Sequence, residues 1–244
     1  MAAHEFVVIA SQRTGSTLLV RSLDSLPNIF CAGEIFYFGP RTLHREFQYP
    51  YPKRGRNVIA RAAAILLQKG RVRRHLAHFY QTAGRDVRAV GFKLMISQAA
   101  RYPATVGWFQ ERRVTAIVLH RQNTFDAAMS YCMAALTGRY HSDRETGAAK
   151  QEPVTIGEND FARYFRACAK DRARLLELHR SLGGLLLAYE ELVGDWDSSI
   201  ARIGEYLNID GLHVKQSLDK LSATAKPLIA NEQALRARFE GPSK

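Results

Sequence analysis

The stretch FVVIASQRTGSTLLVRSL, from Phe6 to Leu23, constrains the fold more than any other part of the chain. Phe6–Ala10 is apolar without polar alternation, as a strand covered on both faces of a parallel sheet would be. The polar turn Ser11-Gln12-Arg13-Thr14-Gly15-Ser16-Thr17 follows, and apolar residues then recur at helical spacing. A turn between a buried strand and a helix points backbone N–H groups outward in front of the helix N-terminus, which is a site for phosphate or sulfate. In such a site Gly15 lets the backbone approach the anion, Arg13 supplies a cationic fork, and Thr14, Ser16 and Thr17 add hydroxyl donors. The same residue types also serve as ordinary helix caps beside a solvated arginine, so the turn alone leaves both readings open.

Further strand-like runs lie at Val87–Met95, Thr115–His120 and Leu185–Tyr189, and helix-like stretches at Ser16–Leu26, Val58–Tyr80, Thr124–Leu136, Phe161–Ser181 and Ser198–Leu207. Their alternation predicts an α/β fold, a doubly wound parallel sheet of P-loop-like type flanked by helices, with ligands at the carboxyl ends of the strands. With 244 residues, 46% of them hydrophobic, the chain can bury one large core, so a single domain over residues 1–244 is expected. The stretches Pro40–Gly55 and Gly138–Gly157 read as long irregular segments, either binding lids or excursions.

Lys and Arg number 35 against 23 Asp and Glu, a formal charge of +12 that favours an anionic ligand without choosing among nucleic acid, a membrane surface and a small polyanion. No nucleic-acid recognition motif accompanies the basic residues Arg71, Arg73 and Arg74, which read as a solvated helix face, so no nucleic-acid partner is expected. Cys31, Cys132 and Cys168 are odd in number and widely spaced, which indicates neither a disulfide framework nor a zinc site. No stretch approaches the roughly 20 apolar residues of a membrane span, and the N-terminal apolar run is too short for a signal peptide. A cytoplasmic protein is expected.

The turn departs from the nucleoside-triphosphate loop GxxxxGK[ST], because no lysine precedes the hydroxyl residues. It resembles instead the 5′-phosphosulfate loop of the sulfotransferase family, which in bacterial members reads (P/Q)-R-(S/T)-G-S-T-L-L; Gln12–Leu19 is QRTGSTLL. In AIVLHRQNTFDAAMSYCMA, Arg121 directly follows an apolar strand, with Asn123 close behind and Ser130 in a helix. That arrangement is similar to the R-x-N and Ser pattern of the bacterial trehalose and nodulation-factor (carbohydrate) sulfotransferases. The resemblance implies that 3′-phosphoadenosine 5′-phosphosulfate (PAPS) is the sulfuryl donor and 3′-phosphoadenosine 5′-phosphate (PAP) the product. It assigns Gln12, Arg13, Thr14, Gly15, Ser16 and Thr17 to the phosphosulfate end, and Arg121 with Ser130 to the 3′-phosphate.

Glu34 in FCAGEIFYF matches the Glu assigned as general base in the same branch, and a carboxylate within reach of an acceptor hydroxyl can take its proton. Lys93, in GFKLM, is a cation inside an apolar strand; it either faces the sulfuryl group and offsets charge on the leaving phosphate, or forms a structural ion pair. His141 in TGRYHS is a candidate second acid/base group or is solvated. Tyr189, in a YEEL string similar to one that recurs in sulfotransferases, is expected to pack at the strand end or contact adenine. No metal is implied, since no carboxylate pair has ligand spacing. The resemblance points to a small-molecule, glycan or glycolipid acceptor, and to a possible homodimer. Two rival classes are a small-molecule kinase using ATP, against which the missing lysine speaks, and a non-catalytic polyanion-binding protein, against which Glu34 speaks.

Overall fold

The computed structural model describes residues 2–37, 43–50, 58–137, 153–216 and 229–240, with the side chains of 58–66 left aside. In chain order the elements are β1 (His4–Ala10), α1 (Ser16–Asp24), β2 (Ile29–Ala32), α2 (Val58–Ala83), β3 (Ala89–Met95), α3 (Ile96–Arg101), α4 (Ala104–Arg112), β4 (Thr115–His120), α5 (Thr124–Thr137), α6 (Glu158–Leu182), β5 (Leu185–Ala188), α7 (Tyr189–Gly194), α8 (Trp196–Leu207) and α9 (Glu232–Phe239). Among the described residues all five strands are parallel, in the order β2-β3-β1-β4-β5. The α/β sheet flanked by helices is therefore the architecture that the apolar runs predict.

Five elements lie outside the sequence reading: β2, α3, α4, α7 and α9. β2 has only four residues, IFCA, too few for a pattern to emerge. α3 and α4 follow β3 directly, and α4 (ATVGWFQER) mixes Gly, Thr and Val into a helix with little helical propensity of its own. Burial of Trp108 and Phe109 against the sheet holds it in place. A smaller difference lies at the end of β5: the strand stops at Ala188, and Tyr189 opens α7.

The strands alternate faces. Val7 and Ile9 point to a core with Phe79, Phe92 and Phe109 under α2 and α4, whereas Phe6, Val8 and Ala10 point to a core with Leu19, Leu23, Ile200 and Ile203 under α1 and α8. A third cluster joins α5, α6 and α9 through Phe125, Cys132, Phe161 and Leu235. Of Arg71, Arg73 and Arg74 on α2, Arg73 forms a two-point ion pair with Glu111 and ties that helix to α4. Among the described residues no helix is long and apolar enough to cross a membrane. Cys31, Cys132 and Cys168 carry no disulfide.

β1 sits between β3 and β4, so consecutive strands leave it in opposite directions and a crevice opens above its carboxyl end. Ala10 pairs with Met95 on one side and Leu119 on the other, which brings the ends of β1, β3 and β4 to one level.

Candidate active site

The turn after β1 is shaped by its own residues. Thr14, 1% exposed, donates its hydroxyl to the Ser11 carbonyl at 2.9 Å. Arg13 (φ 65°) and Gly15 (φ 74°) both lie in the left-handed region, and a Cβ on Gly15 would come within 2.9 Å of the Tyr189 ring, so this position requires glycine twice over. Gly15 is the N-cap of α1 with no side-chain capping bond. The Ser/Thr residues are thus not spent on capping at this position, and the amides of a helix's first turn, which lack intrahelical carbonyls, suit an anion. Gln12 lies on the exposed side of the turn, while Ser16 is buried at 6% exposure.

Two arginines and the helical serine converge on this turn. Arg13 Nε–H donates to Ser130 Oγ of α5 at 2.9 Å, and Arg121, just past β4, donates to the Arg13 carbonyl at 3.3 Å. The Arg121 guanidinium lies 4.6 Å from the centroid of the Tyr189 ring, and its Nε is 3.6 Å from Glu190 Oε1. Glu190 also accepts from the Gln122 and Asn123 amides at 3.0 and 3.2 Å, fixing the β4–α5 turn from α7. Asn123 caps α5, its Oδ1 accepting from the Asp126 amide at 2.9 Å. The sequence motif brought Glu190 into view only as part of the YEEL string; its capping role depends on where α7 lands.

The second half of the site is built on β2, β3 and α3. Lys93 is in register with Val8 of β1, so its side chain takes the α1 face and reaches Thr17 Oγ1 at 3.2 Å. Its Nζ is also 2.9 Å from Glu34 Oε1, just past β2. The lysine side chain is 9% exposed and the carboxylate 23%, so each supplies the counter-charge that burial of the other demands. Lys93 thus makes the ion pair that one sequence reading expects, and its Nζ also lies against Thr17 of the turn. Gln98 of α3, which no sequence signal marked, donates Nε2–H to Glu34 Oε2 at 2.8 Å and accepts from the Met95 amide at 3.0 Å. His141 lies outside the described residues.

Other nearby groups are chemically quiet. Burial pushes the thiols of Cys132 and Cys168 up to about 11, so neither is a thiolate nucleophile. Burial, with the charge of Arg172 second, lowers the affinity of His120 for a proton at the end of β4. What the arrangement offers is a turn whose geometry suits an anion, with two guanidinium groups on one flank and a lysine-paired carboxylate on the other.

No protein-family model matches the chain. It is 22% identical over 245 aligned positions to Nodulation protein H of Rhizobium meliloti, an alignment covering 97% of this chain and 92% of the relative. In structure it is similar to a sulfotransferase from Alicyclobacillus acidocaldarius (TM-score 0.52, 16% identity, 98% of this chain and 97% of the other). It is also similar to the sulfotransferase domain of the Synechococcus PCC 7002 olefin synthase (TM-score 0.54, 16% identity, 99% and 89%). The sulfotransferase domain from the curacin biosynthetic pathway matches at TM-score 0.52 and 15% identity, over 100% and 93% of the two chains. These matches run the length of the chain and include the sheet that carries the turn: the protein has the sulfotransferase fold.

Proposed function

We propose that the protein is a PAPS-dependent sulfotransferase that places a sulfuryl group on a hydroxyl of a carbohydrate or glycolipid acceptor. The observation that carries this reading is the bridge made by Lys93, which touches Thr17 of the anion turn and Glu34 simultaneously. A base and an anion site one lysine apart are what in-line transfer to a hydroxyl needs. PAPS, when bound, supplies the sulfuryl group on a leaving phosphate. Arg13 and the turn hold the 5′ end, Arg121 and Ser130 the 3′-phosphate, and Glu34 takes the proton of the attacking hydroxyl. Lys93 offsets the charge that builds on the leaving side. Tyr189, packed on Gly15 beneath Arg121, shapes the nucleotide side of the crevice. Three cysteines without a disulfide support a reducing, cytoplasmic setting.

A polyanion-binding protein would have no use for a half-buried carboxylate beside its anion site, and an ATP-dependent kinase would need the lysine that the turn lacks. The test is incubation with PAPS and a panel of glycans, with release of PAP and an acceptor mass gain of one sulfo group as the expected result. Absence of any thermal shift with millimolar PAPS or PAP rejects the proposal, and turnover with ATP and magnesium would replace it with the kinase.

A further inference from the structure

Gln98 belongs to no motif, yet it holds one oxygen of the carboxylate on which the proposed chemistry turns. Its geometry is settled from both ends. The Met95 amide, at the junction of β3 and α3, is a donor and needs an acceptor, so it faces Gln98 Oε1 at 3.0 Å. The other half of the side chain, Nε2, is then necessarily turned toward Glu34, and donates to Oε2 at 2.8 Å. Gln98 is 8% exposed and fixed by the start of its own helix, so it cannot turn away. The partner of the other Glu34 oxygen is of a different kind. Lys93 Nζ, 2.9 Å from Oε1, also reaches Thr17 in the anion turn at 3.2 Å, and has somewhere else to go when an anion is bound there.

We infer that Gln98 is the positioning residue of the base: it clamps Glu34 Oε2, leaving Oε1 as the oxygen that receives the acceptor's proton. This rests on the reading of Glu34 as base in a sulfotransferase. In the step so assigned, the acceptor O–H bond breaks with its proton passing to Glu34 Oε1. The acceptor oxygen forms a bond to sulfur, and the bond from sulfur to the bridging oxygen of PAPS breaks, its electron pair leaving with the phosphate of PAP. Lys93 is free to follow that charge because Gln98, and not Lys93, keeps the carboxylate in place. A neutral donor suits this task, since it orients the carboxylate without adding a second cation that would weaken it as a base.

Two substitutions at this position separate orientation from fold. Gln98→Leu removes both hydrogen bonds, whereas Gln98→Glu keeps an acceptor for the Met95 amide and replaces the donor to Glu34 with a second carboxylate. The coupling is read without an acceptor, by following the side-chain carboxyl of Glu34 in ¹³C-glutamate-labelled protein through a pH titration, with Glu34→Gln identifying its signal. Loss of a donor disfavours the charged carboxylate and a second carboxylate disfavours it more, so the midpoint is expected to rise in Gln98→Leu and further in Gln98→Glu. PAP affinity stays within about twofold, and turnover with the acceptor found in the glycan panel falls about 10- to 100-fold, its acid limb moving up with the midpoint. If Gln98→Leu does not fold, Gln98→Glu reads the same coupling. A midpoint unchanged in the folded variants overturns the inference, even where turnover falls. Full turnover in Glu34→Gln instead removes the base itself, a distinct failure that the titration does not imitate.

Discussion

Glu34 stands just past β2 and Lys93 within β3, and each offsets the cost of burying the other's charge. Glu34→Gln keeps the hydrogen-bonding shape but removes the base, so PAP binding by calorimetry is expected to be retained while PAP release from PAPS with acceptor falls by at least about 100-fold, the lower range for general-base removal. Equal loss of both would take the base role from Glu34. Arg121 stands between Tyr189 and Glu190 with its donors toward the turn. Arg121→Ala is expected to weaken binding of PAP relative to its 3′-hydroxyl analogue by about 1.5 to 3 kcal/mol, the range for a hydrogen bond to a charged group. An unchanged preference between the two nucleotides, in paired titrations, would show that the 3′-phosphate sits elsewhere. At this scale the sequence made Arg13, Glu34, Lys93, Arg121 and Ser130 legible, because each stands beside an apolar run or in a quoted motif. Gln98 was not legible, since a glutamine at the start of a short helix has no pattern and acquires its role only through a contact 64 residues away.

Among the elements, the turn between β1 and α1 is the most demanding. Gly15→Ala would place a Cβ on a left-handed residue and against the Tyr189 ring at 2.9 Å. Destabilisation of about 1 to 3 kcal/mol is expected in urea unfolding, with weakened PAP binding in whatever protein remains folded. A parent-like midpoint would mean that α7 yields, and that Tyr189 does not shape the turn. The long elements were legible because their patterns are: the continuous runs of β1, β3 and β4 and the amphipathic α8 carry enough residues for a period to show. β2 and α4 were not, because four residues show no period and α4 is held by burying Trp108 and Phe109, which is a property of the surface beneath it.

Across the whole molecule, burial lowers His4, His75 and His120 whereas His44 is raised, so stability should respond to pH in both directions. His75 lies among Phe36 and Tyr49, and burial, with the charge of His78 also acting downward, lowers it from 6.5 to about 4. The unfolded imidazole takes up a proton below about 6.5 while the folded one does not until about 4, so stability falls across that window as the solution is acidified. His44 is raised above 6.5, chiefly by its hydrogen bond to Asp24 at 2.8 Å. Its contribution is complete below 6.5 and is lost as pH rises through the raised value. Urea midpoints are therefore expected to decline on both sides of neutrality. His75→Phe should flatten the acid side and His44→Asn the alkaline side; slopes identical to the parent in both variants would contradict this assignment.

The sequence by itself determined the longer strands and helices and marked the turn after β1 as a candidate anion site, because apolar period, glycine and charge act over a few neighbouring residues. Arg13, Glu34, Lys93, Arg121 and Ser130 were singled out as candidates by the motifs around them. Only the tertiary structure decided that β1 lies between β3 and β4, and hence that Arg13, Arg121 and Lys93 share one crevice. It also decided that Glu34 is gripped by Lys93 and Gln98 together. Strand order depends on how whole apolar faces are buried against one another, a balance summed over residues far apart in the chain, and no local pattern records it.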